Sequence, residues 1–137
     1  MQLLKIYYAY FSPGNTTEKV VSHIASSFQN YPVESINLTD YATRQEDYYF
    51  KENELLIIGV PAYGGRVPAP VVDALRHFTG SNTPVVLVAT YGNRDIDDTL
   101  IELKKNVIDK GFIPVGAASF VCQHTFLKEC AEGRPDE

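Results

Sequence analysis

The sequence has few cysteines and no apolar run long enough to cross a membrane. Its two cysteines, Cys122 and Cys130, lie eight positions apart, which matches neither a zinc motif nor the close spacing of iron–sulfur ligands. We therefore expect reduced structural thiols. No apolar stretch approaches the ~20 residues that a membrane-spanning helix requires. The first residues, MQLLKIYYAYF, include a lysine and no small-residue cleavage site, so we expect a strand there, no signal peptide and a cytoplasmic protein without a membrane partner.

Basic residues are also scarce. The chain has 12 Lys and Arg residues against 17 Asp and Glu residues, which gives a formal net charge of -5. A nucleic-acid surface needs clustered basic side chains to neutralise phosphates, so this composition argues against a nucleic-acid partner. Any bound anion must be held mainly by backbone N–H groups and helix ends. The length of 137 residues suits a single domain, residues 1–137.

Apolar runs alternate with helical patterns along the chain. Apolar residues recur at helical spacing over about Thr16–Gln29 and Pro70–Phe78, and again within RDIDDTLIELKKNVIDKG, where Gly111 ends the pattern. Strands joined through helices imply right-handed crossovers, so we predict an α/β fold with a doubly wound, five-stranded parallel sheet of strand order 2-1-3-4-5. The predicted strands are Leu3–Ala9, Val33–Leu38, Leu55–Val60, Val85–Ala89 and Val115–Val121.

Three further segments carry local predictions. Asn15 followed by Glu18 resembles a capping box at the start of the first helix. Asp40–Lys51 has no clear period and is interpreted as a short helix or a loop. About sixteen residues follow the fifth strand, so we predict a final helix that is short, about Phe126–Ala131, or missing. A sheet face left uncovered in this way would be open to a partner, including a second copy in a homodimer.

The first of three unusual loops follows the first strand. In the order 2-1-3-4-5, ligands bind where the strand order reverses, so the loops after strands one, three and four should line the site. The glycine and hydroxyls of the first loop, followed by a helix N-terminus, suit a phosphate, although the loop has neither a P-loop lysine nor a G-x-G-x-x-G spacing. Ordinary turns and helix caps use the same residues, so this loop alone leaves both interpretations open. It consists of Ser12, Pro13, Gly14, Asn15, Thr16 and Thr17.

The second and third loops each combine an aromatic residue with glycine and arginine. Two adjacent glycines in the second loop let a flat ligand approach the main chain. The third loop offers a ring face for stacking and amide donors for a ring edge. Either loop alone would be interpreted as a turn with a packed aromatic side chain, but three such loops at one crevice favour a binding site. The second loop is Pro61, Ala62, Tyr63, Gly64, Gly65 and Arg66, and the third is Thr90, Tyr91, Gly92, Asn93 and Arg94.

These motifs resemble a known family. The strand, the SPGNTT loop and its helix, together with GVPAYGGRVP and ATYGNRDIDDTLIEL, are similar to flavodoxin-type FMN domains, and most of all to the flavodoxin half of bacterial flavodoxin–ferredoxin fusion proteins. The resemblance spans nearly the whole chain and implies the flavodoxin-like strand order 2-1-3-4-5. It also implies non-covalent FMN, with the phosphate at Ser12–Thr17 and the isoalloxazine ring against the second and third loops.

The resemblance further implies electron transfer with a redox partner protein, either a reductase or a ferredoxin-type acceptor. The family's phosphate loop usually reads Ser-x-Thr-Gly-x-Thr, so here Gly14 replaces Thr and Asn15 replaces Gly. Relatives continue beyond the point where this chain ends, near GRPDE, into cysteine clusters, so we expect a stand-alone or truncated version. Arg66 and Arg94 are candidate positive charges near the flavin ring; the alternative is that both are solvated or pair with Asp95 and Asp97.

Three classes of function remain open from the sequence. The first is an FMN electron carrier without its own substrate pocket, the second an FMN-dependent NAD(P)H oxidoreductase of the quinone reductase type, and the third a non-redox regulatory or binding domain on the same fold. The first strand ends in YYAYF and lacks the acidic pair that binds Mg²⁺ in receiver domains, which argues against the third class. We predict the carrier, with no catalytic residue and no metal site.

Overall fold

The computed structural model describes residues 2–62, 65–91 and 97–121. None of the helices within these ranges is long and apolar enough to cross a membrane. The two cysteines and the predicted final helix lie outside the described residues. The described strands are β1 (Lys5–Tyr10), β2 (Val33–Asn37), β3 (Tyr48–Tyr49), β4 (Glu54–Pro61), β5 (Phe78–Thr79), β6 (Thr83–Tyr91) and β7 (Phe112–Val121), and the helices are α1 (Thr16–Ser26), α2 (Tyr41–Arg44), α3 (Ala69–Leu75) and α4 (Asp97–Asp109).

Five of these strands form the main sheet. Their order is β2-β1-β4-β6-β7, and every neighbouring pair runs parallel. When these five strands alone are counted along the chain, the order is 2-1-3-4-5, so the predicted fold class is confirmed. Each predicted strand overlaps an observed one and differs only at its ends. The short strands β3 and β5 form a separate parallel pair.

The central strand of the sheet, β4, is covered on both faces. Residues Glu54–Val60 of β4 are all buried, which agrees with the unbroken apolar run in the sequence. On one face, Leu56 belongs to a core that includes residues of α3 and α4. On the opposite face, Ile57 belongs to a core that includes Val20 and Val21 of α1. Burial of each such aliphatic side chain stabilises the fold by roughly 1.5–3 kcal/mol.

Gly59 allows α1 to pack closely against β4. A Cβ atom at position 59 would collide with Val21 Cγ1 and would lie 3.1 Å from Thr17 Cγ2. The absence of a side chain at this position therefore fixes the distance between helix and strand. It also brings the first turn of α1 close to the carboxyl end of β4, where the candidate site lies.

Outside the main sheet, the structure corrects two helix ends and resolves one ambiguity. The first helix ends at Ser26 instead of Gln29. The third helix ends at Leu75 instead of Phe78, because Phe78 is fully buried in β5 and packs against Phe50 with 5.4 Å between ring centroids. The ambiguous segment Asp40–Lys51 contains both α2 and β3. The predicted stop after α4 is confirmed, since Gly111 has φ 94°, a left-handed conformation that favours glycine.

Candidate functional site

The three loops predicted to form the site follow neighbouring strands. β1 lies next to β4, with Tyr10 opposite Gly59, and β4 lies next to β6, with Pro61 opposite Thr90. Because β2 lies on the other side of β1, the strand order reverses between β1 and β4. The loops after β1, β4 and β6 therefore leave the sheet side by side at its carboxyl edge, which is where open α/β sheets bind ligands.

Asn15 determines the course of the first loop. It immediately precedes α1 and has φ 68° and ψ -5°, in the left-handed region. Asparagine occupies this region more readily than most residues, and glycine occupies it without a steric penalty. Asn15, at the position where flavodoxin-type phosphate loops have glycine, is therefore compatible with the left-handed conformation. A side chain at Gly14 would meet no atom within 4 Å, so the space beside the loop is open there.

Ser12, and not Asn15, caps α1. The Ser12 hydroxyl oxygen accepts a hydrogen bond of 2.9 Å from the Glu18 N–H group, whereas the Asn15 side chain makes no capping bond. The predicted capping box is therefore wrong, because a residue three positions before Asn15 already satisfies the Glu18 N–H group. Ser12 is held in place in turn, since its own N–H group donates to Thr39 Oγ1 over 2.7 Å.

The start of α1 presents several hydrogen-bond donors. Within the described part of the chain, the N–H groups of Gly14, Thr16 and Thr17 have no acceptor. The N-terminus of a helix also carries partial positive charge from the aligned peptide dipoles. The hydroxyls of Ser12 and Thr17, which are 5% and 2% exposed as residues, border the same turn. This arrangement can hold a phosphate without a lysine or arginine in the loop.

Thr90 connects the three loops. Its hydroxyl lies 2.8 Å from the Thr17 hydroxyl, in the first turn of α1. Its carbonyl oxygen accepts a 2.8 Å hydrogen bond from the N–H group of Ala62 in the second loop. Thr90 itself ends the strand from which the third loop departs, and only 4% of its surface is exposed. Thr90 therefore contacts the first loop through its hydroxyl and the second loop through its backbone carbonyl.

The second loop is anchored to α4 by Glu102. Its Oε1 atom accepts hydrogen bonds of 3.0 Å from Arg66 Nε and 3.0 Å from the Val67 N–H group, and its Oε2 atom lies 3.4 Å from Arg66 Nη2. The hydrogen bond from Arg66 is the main cause that lowers the pKa of Glu102 below its ordinary value of 4.5. Gly65, with φ 78°, makes the turn that precedes this anchor. Arg66 thus pairs with an acid that the sequence did not indicate, and this partner offsets its charge.

Of the remaining predicted site residues, Pro13 is exposed in the first loop, and the others divide into two groups. Pro61, Ala62 and Tyr91 are half-buried at the carboxyl edge of the sheet. The second group lies outside the described residues, and its members remain predictions from the sequence: Tyr63, Gly64, Gly92, Asn93 and Arg94.

Sequence reasoning missed a supporting contact beneath the first loop. Arg44 Nη1 donates to the carbonyl oxygens of Leu38 and Thr39, at 2.9 and 3.1 Å, and its guanidinium lies 5.4 Å from the centre of the Tyr41 ring. Arg44 thereby holds the segment whose Thr39 hydroxyl anchors Ser12. The sequence offered one signal, a polar threonine directly after the second predicted strand, but nothing that paired it with Ser12.

Tyr10 and Glu18 form a further contact behind the loop. The Tyr10 hydroxyl donates to Glu18 Oε2 over 3.3 Å. Burial, and to a lesser extent the charge of Glu18, raises the pKa of Tyr10 to about 12. Tyr10 therefore stays protonated at neutral pH and remains a donor to Glu18.

Comparisons with known proteins place the fold. No protein-family model matches the chain, and no curated protein matches its sequence. Among solved structures, the chain is similar to a flavodoxin from Streptococcus pneumoniae TIGR4, with a TM-score of 0.64 and 11% identity over 93% of each chain. It is also similar to a flavodoxin from the domain Archaea, with a TM-score of 0.63 and 15% identity over 95% of this chain and 93% of that one.

A third similar structure is a flavoprotein in complex with FMN from Lactobacillus acidophilus NCFM. Its TM-score is 0.61 and its identity 15%, over 93% of this chain and 99% of that chain. Similarity at such low identity concerns the fold. The protein therefore has a flavodoxin-like α/β fold, as its strand order indicates.

Proposed function

We propose that this protein binds FMN and carries electrons between a reductase and a redox partner protein in the cytoplasm. The main support for this proposal is the set of hydrogen-bond donors in the first loop. The start of α1 is surrounded by two buried hydroxyls and by three N–H groups that have no acceptor among the described residues, at the edge of the sheet where the strand order reverses. A phosphate group is the ligand that such a set of donors suits best.

The residues present fit FMN rather than a nucleotide held by a P-loop. The left-handed Asn15 and the open space beside Gly14 leave room for a phosphate against the backbone. The second and third loops would hold the isoalloxazine ring, with the Tyr63 and Tyr91 rings as its stacking partners. When bound, FMN supplies the redox chemistry, and the protein supplies binding and orientation. The FMN complex of a protein with a similar fold adds support.

The carrier is preferred to an NAD(P)H oxidoreductase because the motifs resemble flavodoxin domains that exchange electrons with other proteins. In this proposal the partner is a reductase or a ferredoxin-type acceptor, as in flavodoxin–ferredoxin fusion proteins. Glu102 neutralises Arg66, so the second loop would present the ring without a strong local positive charge. We therefore assign this chain the role of FMN-binding partner and assign no substrate pocket to it.

Absorbance spectroscopy tests the FMN proposal. Purified protein, stripped of any flavin and titrated with FMN, should show the shifted, structured visible bands of a protein-bound flavin and quench FMN fluorescence. Riboflavin, which has the same ring but no phosphate, should bind at least about tenfold more weakly, since it cannot use the donors of the first loop. Equal affinity for both flavins would contradict the phosphate role of this loop, and no binding of either would overturn the proposal.

A second experiment separates carrier from oxidoreductase. The FMN-loaded protein is mixed with NADPH under anaerobic conditions, with and without a ferredoxin-type reductase. A carrier should be reduced slowly by NADPH alone and much faster when the reductase is present. Rapid reduction by NADPH alone, followed by reoxidation with a quinone, would support the oxidoreductase instead.

A further inference from the structure

The contact between Thr17 and Thr90 leaves one of the two hydroxyl protons without an acceptor among the described residues. Their Oγ1 atoms are 2.8 Å apart, and the two residues are 2% and 4% exposed. A threonine hydroxyl has one proton to donate and can accept others. One proton lies between the two oxygens, so the other proton of the pair must point elsewhere. Within the described residues neither hydroxyl has a second hydrogen-bond partner.

The surroundings of the two hydroxyls differ. Thr90 lies at the end of β6, and its carbonyl is already bonded to the Ala62 N–H group. Thr17 lies in the first turn of α1, next to the N–H groups of Gly14 and Thr16, which have no acceptor in the part of the chain that the structure describes. An anion at this turn offers an acceptor to Thr17 and would favour the arrangement in which Thr90 donates to Thr17. A buried hydroxyl proton left without an acceptor costs free energy, so the anion and this arrangement stabilise each other.

The Thr17 side chain is also held by its methyl group. Its Cγ2 atom lies 3.1 Å from the position that a Cβ of Gly59 would occupy, so the methyl group packs into the space that this glycine leaves. Because the methyl group packs against β4, the χ1 angle of Thr17 is restricted, and the hydroxyl proton is the part of the side chain that can still rotate. The Thr90 hydroxyl is the described group that can fix that rotation.

We propose that Thr90 is a positioning residue for anion binding: its hydroxyl donates to Thr17 Oγ1 and so directs the Thr17 proton to the phosphate in the first loop. This inference rests on the proposed FMN function and deepens it. Thr90 makes no contact with the phosphate in this proposal and acts only through Thr17. Its influence should therefore fall on the phosphate and not on the flavin ring, which is a difference that binding measurements can resolve.

The test compares FMN and riboflavin affinities in Thr90→Val, which keeps the shape of the side chain and removes its hydroxyl. FMN should bind about five- to tenfold more weakly than to the wild type, the effect of one hydrogen bond, and riboflavin affinity should change less than about twofold. Thr90→Ser, which restores a hydroxyl, should recover most of the FMN affinity. Thermal unfolding without flavin shows that each variant is folded.

Two further variants sharpen the test. Thr83 is a buried threonine on the same strand, at its opposite end, where its hydroxyl donates to the Lys51 carbonyl. Thr83→Val therefore controls for the general loss of a buried hydroxyl, and it should leave the ratio of FMN to riboflavin affinity at the wild-type value. In the double variant Thr17→Val with Thr90→Val, FMN should bind no more weakly than to Thr17→Val alone, because Thr90 acts through Thr17.

The outcomes are distinguishable. If the wild type binds FMN and Thr90→Val binds it equally well, the inference is wrong and the proposed function stands. Equal losses of FMN and riboflavin affinity, or additive losses in the double variant, would also overturn the inference, since Thr90 would then act on the site as a whole. If the wild type binds no FMN, the proposed function fails and the inference fails with it.

Discussion

Asn15 is the residue on which the shape of the first loop depends most directly. Its left-handed backbone, at φ 68°, turns the chain from β1 into α1, where the N–H groups of Gly14 and Thr16 have no acceptor among the described residues. Few residues tolerate this conformation, and asparagine is among them. The side chain itself makes no capping bond, so the conformational tolerance of asparagine accounts for its presence here.

We expect Asn15→Ala to lower the free energy of unfolding by about 1–2 kcal/mol, because alanine has a steric penalty in the left-handed region. Asn15→Gly should stay within about 0.5 kcal/mol of the wild type, since glycine has no such penalty. Urea unfolding of the three proteins without flavin measures both differences. Equal stability of the alanine and glycine variants would show that residue 15 does not need a left-handed conformation.

Glu102 is a second single residue on which a loop depends, because it anchors the second loop to α4. It binds the Arg66 side chain and the Val67 N–H group, and its pKa is lowered chiefly by Arg66. A carboxyl group with a lowered pKa in the folded state stabilises the fold above its ordinary pKa. That stabilisation is lost as the pH falls through the lower value of the folded state.

Glu102→Gln should therefore lower the melting temperature at pH 7 by roughly 1–3 °C, a small effect because solvent screens the exposed Arg66. The difference from the wild type should persist down to about pH 4.5, the ordinary pKa, and shrink as the pH falls further. Glutamine keeps an oxygen for the Val67 N–H group, so the change reports the charge. Melting curves from pH 3 to 7 provide the measurement, and a difference independent of pH would refute this account.

At the scale of elements, the close packing of α1 on β4 positions the first loop. Gly59→Ala would place a methyl group in collision with Val21 Cγ1 and close to Thr17. We expect it to lower the free energy of unfolding by about 1–3 kcal/mol, because the packed helix must shift. Chemical denaturation measures the change.

Gly116→Ala is the matched control on another strand of the same sheet. A Cβ there would lie 3.9 Å from Val86 Cγ2, an ordinary contact, so stability should change by less than about 0.5 kcal/mol. If both alanine variants unfold alike, close packing at Gly59 does not determine the position of α1.

The main elements were predictable because their signals are local. The unbroken run Leu55–Val60 predicted a strand buried on both faces, and β4 confirms it. The apolar spacing of Val20 and Val21 predicted the buried side of α1. The short pair β3 and β5 was not predicted, since two-residue strands are stabilised by distant packing, as of Phe78 on Phe50, and leave no periodic pattern.

For the whole molecule, the position of the candidate site followed from strand order alone. The loops after β1, β4 and β6 were predicted to meet, and those strands are neighbours in the sheet. The side-chain pairs within the site were not predictable, because Ser12 and Thr39 are 27 positions apart and Arg66 and Glu102 are 36 apart. Composition and period constrain which face a residue occupies, but not which distant hydroxyl or carboxylate it meets.

The position of β4 between β1 and β6 also bears on how the protein folds. Thr17 and Thr90 are 73 positions apart, and they can meet only after the later-synthesised β4 and β6 have joined β1. Contacts of such long sequence separation form slowly, because the chain must close large loops before it gains them. The contact between Thr17 and Thr90 in the candidate site is thus absent from any partly assembled sheet, and a ligand that depends on this contact selects chains whose central strands have finished assembling.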